Sequence, residues 1–78
     1  MNPETIAAAI ERELERARSK FPTWPEDLIH AAAIVGEESG ELTQATLNYT
    51  YHRGGIAEVQ KEAIHTAAMA MRFLENLK

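Results

Sequence analysis

Hydrophobic residues recur every three or four positions along most of the chain, in three segments separated by two breaks. This spacing is typical of amphipathic helices that turn one face towards a core. The first segment starts near Asn2, carries Pro3 in its first turn and ends near Lys20. A proline is tolerated there because a first-turn N–H has no partner within the helix. The apolar positions of this segment are Ile6, Ile10, Leu14, Ala17 and Phe21.

A second helix is predicted over about residues 26–49. The break before it, residues 21–25, contains two prolines, which disfavour the helical conformation in the residues preceding them. Thr23 and Glu26 have the spacing of a capping box, so they are candidates for the start of this helix. Its predicted core positions are Leu28, Ala31, Val35, Leu42, Ala45 and Tyr49.

A third helix is predicted over about residues 56–77, after a break at residues 52–55 that contains two glycines. No alternation of polar and apolar residues of the kind that marks strands persists anywhere in the chain. The pattern therefore predicts an all-α fold of three helices, with helices 2 and 3 antiparallel. The predicted core positions of the third helix are Val59, Ala63, Ala67, Ala70, Leu74 and Leu77.

The length of 78 residues, with 45% hydrophobic residues and no cysteine, limits how this fold can be stabilised. We expect a single domain over residues 1–78, and a domain of this size buries only about 60% of its unfolded surface. Disulfides are excluded, which leaves oligomerisation, a metal ion or very good helix packing. Because Ile64, Met71 and Phe73 widen the apolar surface of the third helix, we expect this helix to contact more than one neighbour and the chain to pack against a partner.

The formal net charge of −4 narrows the range of partners. Lysine and arginine are scattered, whereas binding to a nucleic acid polymer needs a basic patch. No apolar run approaches the roughly 20 residues that a membrane span requires. The first residues are acidic and do not resemble a signal peptide. We therefore expect a cytoplasmic protein with neither a nucleic acid polymer nor a membrane as its partner.

One acidic residue interrupts the apolar stripe of the second helix. Glu38 lies midway between Ala31 and Ala45, where an ionised and unpaired carboxylate would be costly. Glu41 follows one turn later and Glu37 lies one turn before Glu41, so three carboxylates crowd within five residues. They repel one another unless a positive charge lies among them. Such a group predicts a cation site, although carboxylates at this spacing are more often solvated.

Two further residues extend this prediction to the third helix, since Glu62 and His65 are one turn apart beside its apolar stripe. Carboxylates on facing helices suit Mg²⁺, which takes oxygen ligands and retains several waters. Gly40 in the helix interior costs up to about 1 kcal/mol relative to alanine, which indicates close approach by another helix or a ligand.

These motifs together resemble the MazG-like all-α nucleoside triphosphate pyrophosphohydrolases. That superfamily has an E-E-x-x-E stretch on one helix, present here at residues 37–41, and an E-x-x-D on the next. The second motif departs from the pattern because His65 stands where the aspartate is expected after Glu62. The resemblance covers about residues 24–77. It implies release of a nucleoside monophosphate and pyrophosphate from a nucleoside triphosphate, with Mg²⁺ or Mn²⁺ as cofactor. It also implies that the chains associate, as a homodimer or homotetramer, to complete a four-helix bundle.

The resemblance also implies roles for particular residues. Glu38, Glu41, Glu62 and His65 are the implied metal ligands, and Glu37 is a fourth carboxylate or a base that positions water. Candidate phosphate contacts are Arg53, Lys61 and Arg72. Because histidine replaces aspartate, one alternative is a relative that binds nucleotide or metal without turnover. A second alternative is a structural helical interaction module in which the acidic side chains are solvated.

Overall fold

The computed structural model describes residues 1–78 and contains three α-helices and no strand, which confirms the predicted all-α class. The helices are α1 (Pro3–Lys20), α2 (Leu28–Tyr51) and α3 (Ile56–Glu75). None of them combines the length and the apolar character needed to cross a membrane.

Side chains of the residues preceding α1 and α2 fix where these helices begin. The Asn2 side chain accepts a hydrogen bond from the Thr5 N–H at 2.8 Å, and the Asp27 carboxylate accepts from the N–H groups of Ile29 and His30. The predicted capping box at Thr23 is therefore wrong, and α2 begins two residues later than expected. Asp27 replaces Thr23 as the cap because its carboxylate reaches two free N–H groups of the first turn.

The connection between α2 and α3 is a tight turn. Arg53 has a φ of 61°, and the Gly54 N–H donates a 2.9 Å hydrogen bond to the Asn48 carbonyl. A Cβ on Gly54 would lie 3.0 Å from the Asn48 carbonyl carbon, so this crowded turn favours glycine at this position. It reverses the chain and places α2 antiparallel to α3, with Glu38 opposite His65 halfway along.

Helix α3 lies between the other two, since it packs against both while no Cα of α1 comes within 8 Å of a Cα of α2. Helix α1 runs parallel to α3, because Glu13 lies beside His65 and Arg18 pairs with Glu75 further along both helices. The buried core consists of Leu14, Ala17, Ala68 and Met69, packed against Ile10, Trp24, Ile34 and Val35.

The buried line of α3 differs from the predicted one. Its buried residues are Glu62, Ala68, Met69 and Arg72, whereas the expected core positions Ala63 and Leu74 are exposed. The reason is that α3 contacts a helix on each of two sides, so the positions that face between α1 and α2 are buried. On α2, Ala31 and Ala45 are buried as predicted, while Leu28 and Tyr49 at its ends are exposed.

Much apolar surface faces outward. Ile29, Tyr51 and Leu74 are 79%, 73% and 66% exposed, and only nine of the 78 residues are buried. The accessible surface of 5557 Å² exceeds the roughly 4,700 Å² expected of a folded monomer of 8.7 kDa. The fold thus leaves an excess of about 800 Å², which is about one partner's share of a standard protein–protein interface.

Candidate metal centre

Three of the four predicted metal ligands come together halfway along the α2–α3 pair. Glu38 projects from α2, and Glu62 and His65 project from consecutive turns of α3. One potential ligand atom from each of these residues lies within 4.8 Å of the other two. His65 Nδ1 is 3.9 Å from Glu38 Oε2. The helix register therefore converges two carboxylates and one imidazole on a single point.

The two carboxylates lack internal partners for their inner oxygens. Oε2 of Glu38 and Oε2 of Glu62 are both buried and accept no hydrogen bond. Glu62 is only 9% exposed, and its other oxygen lies 3.8 Å from Lys61 Nζ. A buried acceptor without a partner costs about 1–3 kcal/mol, and more when it is charged. Both oxygens are therefore placed where a cation would stabilise them.

The electrostatic surroundings oppose ionisation of this pair. Burial raises the pKa of Glu38, and the neighbouring Glu41 carboxylate raises it further, while His65 acts in the opposite direction. Burial likewise raises the pKa of Glu62, followed by Glu41, with His65 and Lys61 opposing the increase. A bound divalent cation would reverse this balance because it favours the ionised form of every carboxylate nearby.

The other two predicted carboxylates, Glu41 and Glu37, lie at the edge of the cluster. Glu41 is exposed, and it lines a groove between α2 and α3 together with Glu62. Glu37 is exposed on α2, on the wall of a larger groove that also includes Glu38 and His65. Glu41 is nevertheless within hydrogen-bonding reach of Glu62 and raises its pKa, whereas Glu37 stays on the groove wall.

Helix α1 adds a residue that the sequence analysis missed. Glu13 Oε1 lies 3.4 Å from His65 Nε2, on the side of the ring opposite Glu38. Arg16 donates hydrogen bonds of 2.7 and 2.6 Å to the two oxygens of Glu13, and this contact lowers the pKa of Glu13. The local pattern gave no signal for Glu13, because the apolar spacing from Ile10 to Ala17 continues through Leu14 without a gap.

The three basic residues that were predicted to contact phosphate lie in different surroundings. Lys61 is exposed beside the cluster, 3.3 Å from Glu58, whereas Arg53 is exposed on the turn between α2 and α3. Arg72 is buried, donates to the carbonyls of Ala17, Phe21 and Thr23, and lies 5.0 Å from the Trp24 ring. Arg72 thus holds the connection between α1 and α2 against α3. The sequence did not suggest this structural role.

The larger groove has a volume of about 710 Å³. Glu38 and His65 lie on its wall, as do Trp24 and Arg72, and Ile34 and Met69 contribute apolar surface. A volume of this size lies within the range of about 300–1,000 Å³ typical of small-molecule sites. An organic ligand in this groove would therefore contact both the acidic cluster and an aromatic ring.

The donor set fits a divalent cation. Carboxylate oxygens and imidazole nitrogens lie about 2.0–2.2 Å from zinc and similar ions, so two ligands of one ion are at most about 4.4 Å apart. The observed limit of 4.8 Å comes within that distance after a small side-chain rotation. The unpartnered oxygens show that the site has ligand capacity that the chain itself does not use.

Comparisons of the chain with protein-family models, with curated proteins and with solved structures find no match.

Proposed function

We propose that this chain is a nucleoside triphosphate pyrophosphohydrolase that depends on Mg²⁺ or Mn²⁺ and acts in the cytoplasm. The observation that carries the proposal is the convergence of Glu38, Glu62 and His65 in the middle of the fold, where one buried oxygen of each carboxylate has no hydrogen-bond partner. The type of reaction is argued from the resemblance of residues 37–41 to the MazG-like motif. A metal centre beside a groove of suitable volume is what such a reaction needs.

Each residue of the site has a part in this reaction. Glu38, Glu41, Glu62 and His65 would hold the cation, which when bound neutralises the triphosphate and lowers the pKa of water. Lys61, exposed beside the cluster, would contact the phosphate chain. Water adds to the phosphorus of the nucleoside monophosphate moiety, and pyrophosphate leaves.

Glu37 supplies the base in this scheme. Its exposed carboxylate lies on the wall of the groove next to Glu38, where it would accept the proton that water gives up. The nucleoside would lie in the same groove, with its base towards Trp24. An aromatic ring offers a stacking surface to any base, so this arrangement does not require recognition of a particular one.

The functional unit in this proposal is a homodimer or homotetramer. The excess surface matches one side of a standard interface. Helix α2 exposes a face of small and apolar residues at helical spacing, and at Gly36 and Gly40 no atom of the chain approaches the position of a Cβ. From the sequence, Gly40 indicates close approach by another helix or a ligand. Within one chain, no such neighbour is present. A second copy packed on this face would complete a four-helix unit.

A panel of nucleoside triphosphates with Mg²⁺ or Mn²⁺, assayed for pyrophosphate, tests the activity. We expect at least one triphosphate to be hydrolysed, and Glu38→Gln to reduce the rate by at least about 100-fold because it removes a metal ligand. Glu15→Gln is the control, because Glu15 is exposed on α1 and belongs neither to the cluster nor to the groove beside it. Both variants should keep the helical circular dichroism spectrum.

Two results would overturn the proposal. One is full activity of Glu38→Gln. The other is a wild-type protein whose melting temperature rises with nucleotide and metal but which forms no product from any triphosphate. The latter result would select the relative that binds without turnover, the alternative that His65 in place of aspartate favours.

A further inference from the structure

A row of contacts crosses from α1 to the metal centre. Arg16 holds both oxygens of Glu13, Glu13 lies 3.4 Å from His65 Nε2, and His65 Nδ1 faces Glu38 at 3.9 Å. Glu13 thus accepts one hydrogen bond from Arg16 on each carboxylate oxygen and keeps a second lone pair on Oε1 for the His65 N–H. It contacts the centre only through the imidazole ring.

This placement determines which ring nitrogen points into the centre. A carboxylate beside one nitrogen of histidine accepts its N–H and thereby leaves the lone pair on the other nitrogen, as in the carboxylate–histidine pairs of metal sites. Here Nε2 faces Glu13 and Nδ1 faces the carboxylate of Glu38, and a ring nitrogen of His65 lies within 4.8 Å of a Glu62 oxygen. The unpartnered oxygen of Glu62 is an independent indication that a ligand belongs at the point where these groups meet.

We propose that Glu13 is a positioning residue that presents His65 Nδ1 to the cation, so that the centre prefers a later transition-metal ion such as Co²⁺ or Zn²⁺ to Mg²⁺. Magnesium takes oxygen ligands, whereas imidazole suits the later transition-metal ions. The inference rests on the metal centre of the proposed function. It is independent of hydrolysis, because ion binding can be measured without nucleotide.

Titration of the metal-free protein with Co²⁺ and with Mg²⁺ tests this. Calorimetry gives both dissociation constants, and the visible spectrum of bound Co²⁺ reports directly on its ligands. We expect Glu13→Gln to weaken Co²⁺ binding about 10- to 100-fold, which is the usual effect of losing such a supporting carboxylate. Glu15→Gln, at an exposed position of the same helix, is the matched control and should bind Co²⁺ as the wild type does.

His65→Asp provides a second, independent readout. It replaces the nitrogen ligand with oxygen, so the ratio of the Mg²⁺ to the Co²⁺ dissociation constant should fall at least about tenfold, and the Co²⁺ absorption should change. If Glu13→Gln does not fold in EDTA, this ratio and the spectrum still decide whether His65 is a ligand, and Glu13→Asp then tests the position of the carboxylate.

The results that would overturn the inference are distinct from those that would overturn the enzyme. Wild-type Co²⁺ affinity in folded Glu13→Gln would remove the role of Glu13, and an unchanged ion ratio in His65→Asp would remove His65 as a ligand. Absence of Co²⁺ binding to the wild type would remove the centre itself. If Co²⁺ binds as expected and no triphosphate is hydrolysed, the inference stands and the proposed activity fails.

Discussion

Two charged residues of α3 are buried about three helical turns apart, and they differ in whether the chain supplies hydrogen-bond partners for them. Arg72 is 5% exposed, donates to three backbone carbonyls and faces the Trp24 ring. Glu62 is 9% exposed, and one of its oxygens has no partner at all. The chain therefore supplies hydrogen-bond acceptors for the buried guanidinium of Arg72, but it supplies no donor for one oxygen of the buried Glu62 carboxylate.

The difference separates a charge that the fold itself satisfies from one that it leaves for the cation of the proposed function. Arg72 holds the end of α1 and the following loop against α3, a task that the fold needs in every state. The carboxylate of Glu62 meets Glu38 and His65 instead, so folding alone gains nothing from this cluster, and burial even raises the pKa of both acids. A group that weakens the isolated fold is expected where a ligand compensates for it.

The largest expected effect is at Arg72. Arg72→Met leaves the carbonyls of Ala17, Phe21 and Thr23 without their donor, so it should lower the free energy of unfolding by about 3 kcal/mol. In a domain of this size, that loss lowers the melting temperature by more than about 10 °C. Urea denaturation followed by circular dichroism measures it.

The control is Arg18→Met, which breaks an exposed ion pair with Glu75 that also joins α1 to α3. Exposed pairs contribute about 0–1 kcal/mol. If both variants lost equal stability, Arg72 would be no more than another surface contact between the two helices, and the contrast with Glu62 would disappear.

The opposite sign is expected at Glu62. In EDTA, Glu62→Gln should raise the free energy of unfolding by about 1–2 kcal/mol, because it removes a buried carboxylate without a partner. In saturating Mn²⁺ the order should invert, since an ion at 100 times its dissociation constant stabilises the wild type by about 2.7 kcal/mol. Thermal melts in the two buffers measure both effects.

Glu58→Gln is the comparison for this prediction, because Glu58 is exposed one turn earlier on the same helix. It should stay within about 0.5 kcal/mol of the wild type in either buffer. A loss of stability by Glu62→Gln in EDTA would mean that the chain itself compensates this charge, as it does that of Arg72.

More of the fold than of the site could be predicted from the sequence. The spacing of apolar residues and the two breaks in it predict three helices, and Glu38 was identified because an acidic residue is unusual on an apolar stripe. The buried line of α3 was misplaced because it depends on having two neighbouring helices, which the local pattern does not contain. Glu13 shows the same limit: its contact with His65 exists only because α1 runs parallel to α3.

The carboxylates also predict how stability depends on pH in EDTA. The pKa values of Glu38 and Glu62 are raised above 4.5 in the folded state, so between 4.5 and the raised values the folded protein binds more protons than the unfolded chain. Stability should therefore fall as pH rises through that window, by up to about 1.4 kcal/mol per pH unit for each group.

Glu13 titrates with the opposite sign, because its pKa is lowered by Arg16. Its contribution is present above 4.5 and is lost as pH falls towards the lowered value. Urea denaturation at a series of pH values should show the decline above 4.5 in the wild type and a flatter profile when Glu38 and Glu62 are both replaced by glutamine. An equal decline in that double variant would assign the slope to other groups.

The smallest expected effect is at Gly40. This prediction tests whether a second copy of the chain packs against the face of α2 that contains Gly40. Nothing lies within 4 Å of a Cβ built on Gly40, so within one chain alanine should stabilise α2 by up to about 1 kcal/mol. Gly54→Ala is the contrasting control, since its Cβ would lie 3.0 Å from Asn48 and should destabilise the turn.

If two α2 helices pack through this face, Gly40→Ala must hold them apart. Sedimentation should then show weaker association of the variant, together with a melting temperature that rises at low protein concentration and falls at high concentration. Stabilisation at every concentration, with unchanged association, would mean that this face of α2 remains free and that any partner binds elsewhere.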